Sequence, residues 1–159
     1  AEGLFALNLS SARLMRSSEK VVAEVGKLLP LTSLLFCNES ELEAFCAARH
    51  RLTGQSQRES AAEIAGRLAP GGLLVVTAGS ATTRVYSEAQ DIELAVPVEP
   101  ALAHEVVDTN GAGDSFVAGW LACRHLAGLK PGEMGPRDVG ACVQLGHAAA
   151  SSTVRMVGC

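Results

Sequence analysis

A glycine-rich stretch in the last third of the chain has the composition of a site for phosphate chemistry. Residues 106–116 read VVDTNGAGDSF, a short apolar run, a turn and the start of a helical pattern. Gly111 and Gly113 allow the backbone to approach a ligand closely, and the free N–H groups of a helix's first turn attract anions. Asp114 falls in that first turn, where a carboxylate stays ionised and could deprotonate a hydroxyl that attacks the same phosphate. The stretch therefore predicts phosphoryl transfer.

Other nucleotide and metal motifs do not fit this stretch. A dinucleotide-binding fingerprint would need glycine where Phe116 stands, and the chain contains no Gly-Lys-Ser/Thr of a Walker A loop. A calcium-binding loop fails at Ala112 and at Gly119, where its bidentate glutamate would lie. The residues alone leave one structural alternative open, which is a tight strand-to-helix turn in which Asp114 only caps the helix.

The rest of the chain predicts an α/β fold with a mostly parallel sheet to position this turn. Short apolar runs alternate with helical patterns, which is typical of βα units. The expected strands are 4–9, 34–37 and 73–77, with an antiparallel edge at 83–87 and 92–96, and the expected helices are 17–29, 39–48, 56–69, 112–127 and 136–154. Because the last helix is apolar almost all round, it is predicted to be buried.

Composition excludes several classes of protein. The 159 residues carry a net charge of -4, with 48% hydrophobic and 19% charged residues, which suits a globular domain. No block of basic residues points to nucleic acid or to an anionic membrane, and no apolar run approaches the roughly 18 residues of a membrane span. Five cysteines without a CxxC pair indicate free thiols in a reducing compartment, so a cytoplasmic or nuclear location is expected.

The glycine-rich stretch resembles the second signature of the ribokinase-like (PfkB) carbohydrate and nucleoside kinases. Further segments fall in that family's order and spacing: Asn-Leu-Ser at 8–10, Asn-Glu-Ser-Glu at 38–41, Thr-Ala-Gly at 77–79 and Gly-His-Ala-Ala at 146–149. The resemblance implies a three-layer α/β/α fold, of which residues 1–159 would be the C-terminal portion. Asn110 and the Asn-Leu-Ser segment favour the family members that phosphorylate adenosine over the sugar kinases.

The resemblance also implies roles for residues of the glycine-rich stretch. Asp114 would be the catalytic base that accepts the proton of the 5′-hydroxyl of adenosine. The backbone of Gly111, Ala112 and Gly113 would hold the transferring γ-phosphate of ATP, and Asn110 would contact both substrates.

Further roles follow for residues elsewhere in the chain. Asn38 and Glu41 would organise Mg²⁺ and phosphate through water, Thr77 and Gly79 would line the ATP phosphates, and His147 would lie by the adenine. Each residue also has a structural alternative. Asn38 and Glu41 could simply cap a helix, Thr77 to Gly79 could be a strand-exit turn, and His147 could be a core histidine.

Two departures from the family pattern limit the expected activity. Ser11-Ala12-Arg13 follows the Asn-Leu-Ser segment where the family has Ala-Pro and an aromatic residue, so that loop lacks the family's aromatic contribution to the nucleoside pocket. The family's N-terminal half and lid are absent, and with them most of the residues that grip the nucleoside. The chain alone is therefore expected to be inactive, unstable and dependent on that missing half. A kinase for another nucleoside or a sugar, and a non-catalytic nucleotide-binding piece, are the alternatives.

Overall fold

The five strands form one mixed sheet in the order in which they occur along the chain. The computed structural model describes residues 3–54, 56–130 and 132–157. The strands are β1 (Ala6–Asn8), β2 (Leu34–Asn38), β3 (Leu73–Thr77), β4 (Thr82–Ser87) and β5 (Ile92–Pro97). The first three run parallel, whereas β4 and β5 add an antiparallel edge. The predicted α/β fold and its antiparallel edge are confirmed.

Helices cover both faces of the sheet. They are α1 (Ala12–Ser17), α2 (Glu19–Leu28), α3 (Glu39–Thr53), α4 (Ala61–Ala65), α5 (Ala112–Leu126) and α6 (Pro136–Thr153), with single 3-10 turns at Leu29–Leu31 and Ala103–Glu105. Residues of α1 to α4 form one hydrophobic core with the sheet, and residues of α5 and α6 form a second core on its other face. Within the described ranges, no helix has the length and apolarity that crossing a membrane requires.

The interior strand β2 carries no charged residue because both of its faces are buried. Leu35 and Cys37 point into the core of α1 to α4, whereas Leu34 and Phe36 point into the core of α5 and α6. Since successive side chains of a strand face opposite sides, a strand covered on both faces must be apolar at every position. The uninterrupted apolar runs at β2 and β3 therefore report a three-layer arrangement.

Local caps make two of the predicted helices shorter than the apolar pattern indicates, and the helix expected at 39–48 instead continues to Thr53. The helix expected at 17–29 begins only at Glu19, because Ser18 ends α1 and its Oγ accepts a hydrogen bond from the Val21 N–H at 3.3 Å. The helix expected at 56–69 is reduced to α4, which begins at a capping box between Ser60 and Glu63. Serine caps override apolar periodicity at both places.

The predicted burial of the last helix was also wrong. One face of α6 is buried through Val139, Cys142 and Val143, but Gln144 and Leu145 lie on an exposed face, with Leu145 41% exposed. The helix packs on α5 and the sheet from one side, and no described element covers the other side.

The helices α5 and α6 pack at very short range through two glycines. A Cβ atom added to Gly119 would lie 2.7 Å from the carbonyl oxygen of Leu145 and 3.1 Å from the Cα of Gly146. A Cβ added to Gly146 would lie 2.8 Å from two ring carbons of Phe116. The distances of 2.7 and 2.8 Å are shorter than real Cβ contacts, so the helix spacing requires glycine at both positions.

We expect Gly146→Ala to destabilise the fold by about 1–3 kcal/mol, because the new methyl group must push α5 away from α6. Gly140→Ala in the same helix is the matched control. Its added Cβ would meet only Leu94 Cδ2, at 3.8 Å, so the higher helix propensity of alanine should stabilise the chain by up to about 1 kcal/mol. Urea unfolding followed by circular dichroism measures both changes. Equal effects of the two substitutions would contradict the packing argument.

Candidate active site

A cavity of about 290 Å³ lies where the parallel strands end. Asn8, Asn38 and Thr77 are the last residues of β1, β2 and β3, and all three line this cavity. Neighbouring parallel strands present their carboxyl ends at one edge of a sheet, which is where α/β proteins bind ligands. The topology therefore brings together three polar side chains that are far apart in sequence.

The N-terminus of α5 forms the opposite wall of the same cavity. Gly111 precedes the helix with φ of 74°, a left-handed conformation that favours glycine, and it lines the cavity together with Gly113 and Asp114. The backbone N–H groups of Gly111, Gly113 and Asp114 donate to no acceptor in the described part of the chain. Unpaired N–H groups at the positive end of a helix dipole form a site for an anion.

The end of α6 holds the glycine-rich stretch in place. The backbone N–H groups of Val107 and Asp108 both donate to the carbonyl oxygen of Val154, at 2.8 and 3.3 Å. The buried hydroxyl of Thr153 donates to Ser115 Oγ at 2.7 Å, directly beside Asp114. The Asp114 side chain itself is exposed to solvent, so its carboxylate is accessible to a substrate.

Asn38 and Glu41 form a reciprocal capping box at the start of α3. Asn38 Oδ1 accepts hydrogen bonds from the Glu41 N–H at 2.9 Å and the Ser40 hydroxyl at 2.7 Å, and the Asn38 N–H donates to Glu41 Oε2 at 2.9 Å. The capping alternative is thus present in the structure. Capping nevertheless leaves Glu41 Oε1 without a hydrogen bond from any described residue, and both residues line the cavity.

The donor set around the cavity fits a hydrated Mg²⁺ better than a directly bound metal. Glu41 and Asp114 are the two carboxylates on the cavity wall, and the side-chain oxygen of Asn38, Oδ1, already accepts the hydrogen bonds of the capping box. The described residues contain no group of three or more His, Cys, Asp or Glu side chains that could hold a metal ion. Since Mg²⁺ usually keeps several waters and uses one or two carboxylates, these two side chains suit an ion held through water.

His147 lies one layer behind the cavity rather than in its wall. Its Nε2 is 2.9 Å from the buried Thr83 Oγ1, and its ring packs against Phe116, which does line the cavity, with 5.6 Å between ring centroids. Burial lowers the pKa of the His147 imidazole below its usual value. His147 therefore supports the cavity wall through Phe116, and its predicted place beside the adenine stays a prediction.

We expect the His147 imidazole to titrate below pH 6.5 in the folded chain and near 6.5 in the chain unfolded by urea. An unfolded state that binds the proton more readily is favoured by acid, so this histidine opposes folding increasingly as the pH falls below 6.5. Two-dimensional NMR of the imidazole protons over pH 4–8 measures both titrations. A higher pKa in the folded chain would contradict the burial of the ring.

Besides His147, three predicted site residues lie outside the cavity wall. Asn110 is exposed, and its N–H donates to Asp108 Oδ1 at 2.9 Å. Gly79 occupies the exposed turn between β3 and β4 with φ of 58°. The N–H of Ala112 donates to the Thr109 carbonyl at 3.4 Å. Their roles in binding stay predictions.

Sequence reasoning gave no role to two of the polar residues that line the cavity, Asn8 and Ser10. Asn8 ends β1, and Ser10 follows it with an unusual φ of 57° and donates its N–H to Asn8 Oδ1 at 3.1 Å. The available signal was position, because Asn8 ends its strand as Asn38 ends the next one. The remaining lining residues are Phe36, Cys37 and Val117.

Comparison with known proteins identifies the family. Residues 5–159 match the sequence profile of the pfkB family carbohydrate kinases, so the chain belongs to this kinase family. Within it, the chain is 32% identical to the adenosine kinase of Saccharomyces cerevisiae over 155 residues, which are 97% of the chain but 42% of that enzyme. The chain therefore spans less than half the length of this relative.

Solved structures of nucleoside kinases have a fold similar to that of this chain. The Anopheles gambiae adenosine kinase in complex with P1,P4-di(adenosine-5) tetraphosphate superposes with a TM-score of 0.72 at 27% identity, over 98% of this chain and 43% of that protein. The nucleoside kinase of Methanocaldococcus jannaschii gives 0.71 at 26% identity, over 100% and 44%. The predicted ribokinase-like fold is confirmed.

Proposed function

We propose that this chain provides the phosphoryl-transfer centre of an ATP-dependent kinase that converts adenosine to AMP by phosphorylating its 5′-hydroxyl. The observation that carries the proposal is the cavity in which Asp114 and the α5 N-terminus face Asn38 and Glu41. Similarity to adenosine kinases from yeast and mosquito supports the choice of adenosine.

Each wall of the cavity has one task in this reaction. The unpaired N–H groups at the start of α5 bind the γ-phosphate, and the geometry held by Gly111 aims them at it. Asp114, in the same first turn, takes the proton of the attacking hydroxyl. With base and anion site on one turn of one helix, proton removal and phosphate binding occur within a few ångströms of each other.

Glu41 and Asn38 act on the opposite side of the phosphates. Glu41 Oε1 would hold Mg²⁺ through water, and the ion would neutralise negative charge on the ATP phosphates. Asn38 presents its amide N–H₂ group, because its oxygen is held by the Glu41 N–H and the Ser40 hydroxyl. A donor in that position suits a phosphate oxygen or a water of the ion.

The rest of the enzyme lies outside this chain in our proposal. β1 pairs only with β2 among the described strands, and Phe5 and Ala6 are exposed beside its open edge. We propose that the N-terminal half of the same polypeptide extends the sheet from β1 and supplies most of the nucleoside pocket. The 159-residue chain alone then binds ATP weakly and does not turn over.

A phosphotransfer assay on the natural polypeptide that carries this sequence tests the proposal. Adenosine, inosine, cytidine, ribose and fructose are offered with ATP and Mg²⁺, and the 159-residue chain is assayed beside it. Preference for adenosine with an inert isolated chain is expected. Preference for another nucleoside or a sugar would retain the mechanism but replace the acceptor. Failure on every acceptor by a folded protein would refute the proposed activity.

A further inference from the structure

A pair of cysteines faces each other across the two closely packed helices α5 and α6. Cys123 lies one turn after Gly119 on α5, and Cys142 lies one turn before Gly146 on α6. Because the helices run antiparallel and cross where the two glycines meet, equal steps from the crossing bring these cysteines opposite each other. Neither residue belongs to the cavity described above.

The helices α5 and α6 pack at short range beside these two cysteines. The Cα of Gly146 lies 3.1 Å from where a Cβ on Gly119 would be, so the helix axes approach more closely than ordinary side chains permit. A disulfide requires Cα atoms about 4.4–6.8 Å apart, which close helix packing favours within one turn of the crossing. The two side chains lie in the same core, and the Cys123 thiol is near enough to raise the pKa of Cys142.

We propose that Cys123 and Cys142 form a reversible disulfide when the protein meets a peroxide, so that this pair is a thiol modification site. Both are free thiols in the structure. The inference does not rest on the proposed kinase activity, since it concerns only the packing of α5 against α6.

The two cysteines differ in access, which orders the steps. Cys123 is half-buried and Cys142 is fully buried. The sulfur of Cys123 attacks hydrogen peroxide, which breaks the O–O bond and leaves a sulfenic acid and one water. The sulfur of Cys142 then displaces the hydroxyl, which takes the thiol proton and leaves as a second water. Two thiols and one peroxide thus give one disulfide and two waters.

The surroundings of Cys142 make it a resolving thiol rather than the first to react. Burial, the neighbouring Cys123 thiol and the Asp138 carboxylate raise its pKa to about 12, which the Arg124 guanidinium only partly offsets. A raised pKa keeps Cys142 protonated and slow toward peroxide, and its proton leaves only with the hydroxyl of the Cys123 sulfenic acid as the S–S bond forms. Cys142 is protected from solvent until the partner sulfur beside it is activated.

Peptide mapping after oxidation tests the proposal on the natural polypeptide. The protein is treated with one equivalent of hydrogen peroxide in native buffer and, in parallel, in urea, then alkylated, digested and analysed by mass spectrometry. We expect a Cys123–Cys142 cross-linked peptide that a phosphine reductant removes. It should form about tenfold or more faster in native buffer, because folding raises the effective concentration of one thiol near the other.

Variants separate this pair from the other cysteines. Cys123→Ser should abolish the cross-link, whereas Cys37→Ser, in the opposite core, should leave it unchanged. The proposal is overturned if the native protein yields no such cross-link, or if Cys123 or Cys142 pairs with another thiol. Oxidation of Cys123 to sulfinic acid while Cys142 stays free would also overturn it. So would equal rates of cross-linking in native buffer and in urea. The comparison in urea needs no variant, so a folding defect in Cys123→Ser does not obscure the result.

Discussion

Asp114→Asn should reduce the turnover of the natural polypeptide by at least roughly 10²-fold while leaving ATP binding nearly unchanged. Asparagine keeps the size and the polar character of the side chain but cannot accept the proton of the attacking hydroxyl. In the proposed mechanism the phosphates are bound mainly by the unpaired backbone N–H groups of Gly111 and Gly113, which the substitution does not alter. A steady-state assay gives turnover, and isothermal titration with a non-hydrolysable ATP analogue gives the affinity.

Asp91→Asn is the matched control for this experiment. Asp91 lies in the exposed turn between β4 and β5 with φ of 50°, a conformation that asparagine adopts readily, and it does not line the cavity. The control makes the same chemical change and should leave turnover unchanged. Activity of Asp114→Asn equal to that of the control would remove Asp114 from the role of base. Loss of ATP affinity in parallel with turnover would instead assign the carboxylate to binding.

The central strands could be predicted from sequence because their environment leaves a simple pattern. β2 and β3 are covered by helices on both faces, so every side chain of the four-residue runs at 34–37 and 73–76 is buried and apolar. The antiparallel edge was also recognisable, because β4 alternates between buried Thr83, Val85 and Ser87 and more exposed neighbours. Whether a strand is buried on one face or on both can therefore be predicted from its pattern of apolar and polar residues.

Helix breaks and helix exposure were not available from the same patterns. Ser18 divides α1 from α2 through one hydrogen bond to the Val21 N–H, and apolar periodicity continues across this break. Leu145 is apolar yet exposed on α6, because burial depends on whether another element covers that face. The hydrophobicity of a side chain indicates the free energy that its burial would contribute, but not whether another element covers it.

The candidate site divides in the same way. Asp114, Gly111 and Gly113 could be placed from sequence because a glycine turn before a helix fixes their relation locally. The meeting of this turn with Asn8 and Asn38 depends on strand order, which resemblance to a family supplied and local patterns did not. Local patterns also could not place His147, because it lies behind the cavity wall through a hydrogen bond between α6 and Thr83 of β4.

Glu59→Gln should destabilise the fold by about 3 kcal/mol, because it leaves two arginines around a buried site without their counter-charge. The Glu59 side chain is 5% exposed and pairs with Arg49, at 2.6 Å and 12% exposed, and with Arg67. These contacts tie α3 to the segments on both sides of α4. Urea unfolding of wild type and variant at pH 7 measures the difference.

The same cluster predicts how stability depends on pH. Burial alone would raise the pKa of Glu59, but hydrogen bonding and charge from Arg49, with Arg67 behind it, lower it below 4.5. A carboxylate with a lowered pKa stabilises the fold above its unfolded pKa, and this contribution is lost as the pH falls through the folded value. Wild type should therefore lose its advantage over Glu59→Gln below about pH 4.5, and the two unfolding curves should converge in acid.

Glu24→Gln tests whether burial, rather than pairing itself, gives Glu59 its effect. Glu24 bonds Lys27 at 2.8 Å, a distance close to that of the Glu59–Arg49 pair, but these side chains are 57% and 70% exposed. Water screens such a pair, so its removal should cost at most about 0.5 kcal/mol at any pH. If the two substitutions cost the same, or if the Glu59 effect persists unchanged at pH 3, the buried carboxylate does not hold these segments together by charge.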